Sequence, residues 1–134
     1  MDDTSNRLLN CSNKHQGKFK KVLTVCSAGL LRSPSIAHIL SNPPYNCNTR
    51  ACGIDPDYAL VPIDRVLVEW ADEIVCADLK HEMVVSSFVE KCSNPQKKII
   101  NLGLPDIYDT RETRLLQIIQ EKLNGLNYAG TIGM

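Results

Sequence analysis

Cys26 and Arg32 stand six positions apart, on either side of Ser27, Ala28, Gly29, Leu30 and Leu31, with Ser33 and Pro34 following directly. A cysteine attacks electrophiles as its thiolate, and an arginine offers a planar fork to two oxygens of one phosphate. Six cysteines and six arginines in 134 residues give that spacing by accident in about one chain in four, so the spacing needs context. Cys11, Cys47, Cys52, Cys76 and Cys92 have no arginine at the sixth following position. Only Cys26 both follows an apolar run, Val22-Leu23-Thr24-Val25, of the kind that forms a short buried strand, and precedes a Ser-Pro helix start.

Beyond the loop, Ser33 reads as a helix N-cap and Pro34 as the first helical residue, whose missing N–H costs nothing there. Cys26 then sits where a loop closes onto a helix N-terminus. Converging loop amides and the helix dipole make a site for a dianion, and the same field favours the thiolate form of a cysteine. The Ser33 hydroxyl is expected to donate to the sulfur. The amides of Ser27 to Arg32 and the Arg32 fork would hold a transferring phosphoryl group while Cys26 attacks phosphorus.

Such a cleavage also needs an acid for the leaving oxygen. Asp106 and Asp109 compete for that role, both in the loop after the last predicted strand. Asp109-Thr110-Arg111-Glu112 is a capping-box pattern, which gives Asp109 a structural role and favours Asp106 as the acid. Tyr108 fits equally a wall that stacks on an aryl leaving group and a partly exposed turn tyrosine. The scheme requires no metal and no cofactor, and no cluster with metal-ligand spacing occurs; His81-Glu82 begins like a zinc-protease motif, but no second histidine follows at the needed position.

These residues must be carried by a scaffold. Ile36, Ala37, Ile39 and Leu40 give a short helix stopped by Asn42-Pro43-Pro44, and residues 47–52 give a polar strand suited to a sheet edge. Ile63, Val66, Leu67 and Trp70 form a helical stripe starting near Pro62, which places Trp70 in the core. Ile74–Ala77 is a buried strand, and Asp78 caps a helix with Met83, Val84, Phe88 and Val89 on its apolar face. Lys98–Leu102 is the fourth strand, and Leu115, Leu116, Ile119 and Leu123 mark a last helix ended by Asn124-Gly125. The order βαβαβαβα implies a parallel sheet with helices on both faces, whose ligands bind beyond the carboxyl ends of the strands. That topology brings Cys26 and Asp106 to one rim.

Residues 1–20 are polar and aperiodic and read as a flexible leader, leaving 21–134 as one α/β domain. Lys18, Lys20 and Lys21 fit a solvated strand entry better than a substrate-steering patch. Zero formal net charge argues against a nucleic-acid or membrane partner, and no apolar run is long enough to span a bilayer. With no signal-peptide core at the start, the expectation is a cytoplasmic protein with reduced cysteines.

Cys26 to Pro34, Ala51-Cys52-Gly53, Trp70-Ala71-Asp72 and Pro105-Asp106-Ile107-Tyr108, spread over residues 22–123, resemble the low-molecular-weight protein tyrosine phosphatases, in particular their short, compact members. The resemblance implies a single-domain, flavodoxin-like four-stranded parallel sheet in order 2-1-3-4. It also implies metal-free hydrolysis of a phosphotyrosine-containing protein or small aryl phosphate through a phosphocysteine, with inorganic phosphate released. Cys26 would be the nucleophile, Arg32 the phosphate-binding arginine, Ser33 the loop serine, Asp106 the general acid and Tyr108 a pocket wall. Leu30 and Leu31 stand where many members carry Asn and a second Cys, and Ile107 where Pro is usual. Lacking the neighbouring thiol, Cys26 is expected to overoxidise more readily. Arsenate reductases share the fold and loop; Cys76 and Cys92 would then be the candidate relay thiols, with Asp106 left unexplained. A third possibility is a phosphate or phosphopeptide binder without turnover, silenced by the Leu30-Leu31 change.

Overall fold

A computed structural model describes residues 19–27, 32–55, 57, 59, 61–104 and 113–128. Strands and helices alternate along them as β1 (Lys21–Cys26), α1 (Arg32–Leu40), β2 (Asn48–Gly53), α2 (Arg65–Trp70), β3 (Glu73–Cys76), α3 (Leu79–Val89), β4 (Lys98–Asn101) and α4 (Thr113–Gly125). The strands form one parallel sheet in the order β2-β1-β3-β4. Both the alternation and the order agree with the sequence reading.

The period-two geometry of β1 divides the core. Val22 and Cys26 face a cluster with Ile36 and Leu40 of α1 and Leu115, Ile119 and Leu123 of α4. Leu23 and Val25 face the opposite cluster, with Leu67 and Val68 of α2 and Val85 and Val89 of α3. Val22, Leu23 and Val25 are fully buried, and each such side chain contributes about 1.5–3 kcal/mol over its exposed state. A strand held on both faces and paired on both edges is a rigid platform for the residue that ends it, Cys26.

Register fixes a common rim. Cys26 lies opposite Gly53, Val25 opposite Cys76, and Cys76 opposite Asn101, so the four strands end together. Past β4, Gly103 has φ +64°, a left-handed conformation that glycine adopts without strain, and its N–H donates to Asn101 Oδ1 at 2.8 Å. The turn sends Leu104 back along the rim, where its N–H bonds to the Ala77 carbonyl.

Several local expectations need correction. The second helix starts at Arg65 under an Asp64 cap, not near Pro62, because the Asp64 carboxylate accepts the Leu67 N–H. Within it Leu67 and Val68 are buried, while Val66 is 63% exposed. Trp70 is half-buried rather than core and takes the Arg50 guanidinium over its ring, 4.0 Å from the centroid. Asp78 caps α3 as expected, but the inward face is His81, Val85 and Val89, and Met83 is 71% exposed. Lys20 pairs with Glu73 at 3.0 Å beside the start of β1, the end of the sheet away from the rim. No helix among the described residues is long and apolar enough to cross a membrane.

Candidate active site

At the end of β1, Cys26 is buried and its Sγ lies 3.2 Å from Ser33 Oγ in the first turn of α1. Helix α1 already includes Arg32, so Ser33 is not its N-cap. Instead the Ser33 hydroxyl gives its proton to the Cys52 carbonyl at 3.1 Å, and the Cys26 thiol donates to its oxygen. This reverses the expected direction of the Ser33–Cys26 bond for the neutral thiol. A hydroxyl rotor costs little to turn, and once the sulfur carries charge its proton is attracted there instead.

Three further contacts clamp the start of the loop. Thr24 Oγ1, fully buried in β1, donates to the Ser33 carbonyl at 2.7 Å and so ties strand to helix. Ile54 N–H donates to the Cys26 carbonyl and Asp55 N–H to the Ser27 carbonyl, both at 2.9 Å, so the segment after β2 holds the two peptide groups that follow the sulfur-bearing residue. Arg32 is 2% exposed and turned along the rim: Nη1 donates to the Leu104 carbonyl at 2.9 Å and Nη2 to Ser27 Oγ at 3.4 Å.

His81, discarded as a metal-ligand remnant in the sequence, also reaches this cluster. Its Nε2 lies 3.1 Å from Ser27 Oγ. The signal that would have found it was present: it stands three residues after the Asp78 cap, where a capping-box side chain reaches back, and that position points toward the strand ends. Thr24 had no such signal, since a threonine in a strand reads simply as β-branched.

Cys26, Ser27, Arg32 and Ser33 are thus brought together. Ala28, Gly29, Leu30, Leu31, Asp106 and Tyr108 lie outside the described residues, as does the competing acid Asp109. Leu104, two residues before Asp106, is the nearest described point of that loop and bonds directly to Arg32. Among the described residues no group of His, Cys, Asp and Glu has the makings of a metal site.

Three other thiols lie across the sheet from Cys26. Cys52 and Cys76 point into the opposite core cluster, and Cys92 lies there too. Burial, with the nearby Cys26, Cys76 and Asp64 adding, pushes the Cys52 thiol well above its ordinary value. Burial and then Glu82 push Cys76 up to about 12. Both are held as neutral, unreactive thiols.

No family model matches the chain, and no curated protein matches it in sequence. Solved structures do match. Wzb of Vibrio vulnificus in complex with benzylphosphonate aligns with a TM-score of 0.64 at 15% identity, covering 81% of this chain and 97% of Wzb. The tyrosine phosphatase AmsI of Erwinia amylovora gives 0.60 at 14%, covering 88% and 99%. The arginine phosphatase YwlE, as a cysteine-to-serine mutant with a phosphorylated active-site serine, gives 0.55 at 18%, covering 81% and 96%. The chain has the fold of these low-molecular-weight phosphatases over nearly their whole length.

Proposed function

We propose that the protein is a cysteine-dependent, metal-free phosphomonoester hydrolase that acts on phosphotyrosine. The observation that carries this reading is the cluster at the end of β1: a sulfur facing Ser33 at a helix N-terminus, with a buried guanidinium turned toward the entrance of the 105–112 loop. The relatives whose fold it shares include tyrosine and arginine phosphatases, and in one of them a serine substituted for cysteine carries phosphate.

In the proposed cycle Cys26 Sγ attacks phosphorus as the P–O bond to the tyrosine oxygen breaks, and Asp106 delivers its proton to that oxygen. Loop amides and the Arg32 fork hold the equatorial oxygens as charge spreads over them. The Asp106 carboxylate then takes a proton from water, which attacks the phosphocysteine. The P–S bond breaks, inorganic phosphate leaves, and thiolate and protonated Asp106 are restored. Ser33 serves both halves, since its rotor meets the sulfur whenever that atom is negative.

The test is hydrolysis of an aryl phosphate, a phosphotyrosine peptide and a phosphoarginine peptide by metal-free wild type and Cys26→Ser. Turnover of the first two, abolished by the substitution, is the expected result. Preference for phosphoarginine would move the substrate class. Phosphate binding without turnover would make the chain a binding module, and arsenate-dependent thiol oxidation would make it a reductase.

A further inference from the structure

The ring of His81 is fully buried and both its nitrogens are engaged. Nδ1 accepts the Asp78 backbone N–H at 3.0 Å, so the neutral ring carries its proton on Nε2. Nε2–H therefore donates to Ser27 Oγ at 3.1 Å, and the same oxygen accepts from Arg32 Nη2 at 3.4 Å. A hydroxyl oxygen has two lone pairs and one proton. Two N–H donors occupy the lone pairs, which leaves the Ser27 proton to a third group. Among the described residues that proton meets no acceptor, and because Ser27 directly follows Cys26 it stands beside the place where an oxyanion held by Cys26 and Arg32 would lie.

We propose that His81 is a positioning residue of the phosphate site: it holds the Ser27 hydroxyl as a donor to the bound oxyanion and couples α3 to the loop after β1. This rests on the phosphatase reading above. Capping of α3 alone needs only Nδ1, whereas the proposed role needs Nε2–H, and the two can be separated by substitution.

His81→Asn keeps an acceptor where Nδ1 stood but has no donor at the Nε2 position. His81→Gln places an amide donor near Nε2. Ser27→Ala removes the hydroxyl. The measurements are kcat and KM for an aryl phosphate, the Kd of inorganic phosphate by calorimetry, and thermal midpoints. Expected are a thermal midpoint for His81→Asn close to wild type, and a loss of about ten- to hundredfold in kcat/KM and phosphate affinity, the weight of one hydrogen bond to a charged group. Ser27→Ala should match it, the double variant should fall no further than either single one, and His81→Gln should recover part of the loss. Wild-type kcat/KM in His81→Asn, multiplying effects in the double variant, or equal damage from Asn and Gln would overturn the proposal. Nitrogen NMR of the wild-type ring tests it without any substitution: the Nε2–H tautomer supports it, and the Nδ1–H tautomer refutes it. If wild type hydrolyses no phosphomonoester, the phosphatase reading fails, while the same cycle read on phosphate affinity still decides the role of His81.

Discussion

Arg32 Nη1 donates to the carbonyl oxygen of Leu104 at 2.9 Å, joining residues 72 apart in sequence. Both are buried, so the bond is shielded from water. It ties the first turn of α1 to the chain leaving β4, two residues ahead of Asp106.

Arg32→Lys tests that link. An ammonium has no fork to serve Leu104, Ser27 and a phosphate together. Loss of about 10²-fold or more in kcat/KM is expected. The buried Leu104 carbonyl left without its donor should also cost about 1–3 kcal/mol in urea unfolding without ligand. Unchanged stability would mean that Leu104 finds another donor.

For Asp106→Asn, hydrolysis of a phenyl phosphate should slow roughly 10²- to 10⁴-fold, because the leaving oxygen then departs without a proton. A nitrophenyl phosphate, whose leaving oxygen is stable as an anion, should lose far less. Equal losses for both substrates would move the acid role to another residue such as Asp109.

Peroxide chemistry follows from the sheet. Cys52, Cys76 and Cys92 lie in the core cluster on the other face from Cys26; Cys47 shares the Cys26 cluster but precedes β2 at the end of the sheet away from the rim, and the residue before Arg32 in sequence is a leucine, not a thiol. Mass spectrometry after peroxide should find Cys26 as sulfinic or sulfonic acid. A thiol-reversible disulfide on Cys26 would contradict this.

Alkaline pH should unfold the protein early. Burial holds Cys76 at about 12, Cys52 well above an ordinary thiol, and Tyr128 well above an ordinary phenol. The native state keeps protons that the unfolded chain releases, so this stability is complete below about pH 9 and declines as pH rises toward 12. Each thiol removes up to about 1.4 kcal/mol per pH unit in that window. Urea midpoints at pH 8 and about pH 10.5 measure the fall; equal midpoints would mean these groups ionise in the native state.

Most elements were legible because burial writes its period into residue type. Val22 to Val25 reads as a short buried strand, and the Leu115, Ile119 and Leu123 spacing as a helix face. Where burial was incomplete the pattern misled. Val66 and Met83 fall at helical spacing yet face solvent, since α2 and α3 are covered on one side only, and Trp70 lies under Arg50 from a neighbouring strand.

By itself the sequence determined the alternating α/β order, the parallel sheet that follows from it, and the placing of Cys26 and Arg32 at the two ends of one strand-to-helix connection, because these depend on neighbours in the chain. Which way the Ser33 proton points, that Arg32 reaches Leu104, and that His81 meets Ser27 were decided only by tertiary structure. Each is a hydrogen bond between groups on different elements, and a hydrogen bond holds over a few tenths of an ångström that only the packed sheet and helices set.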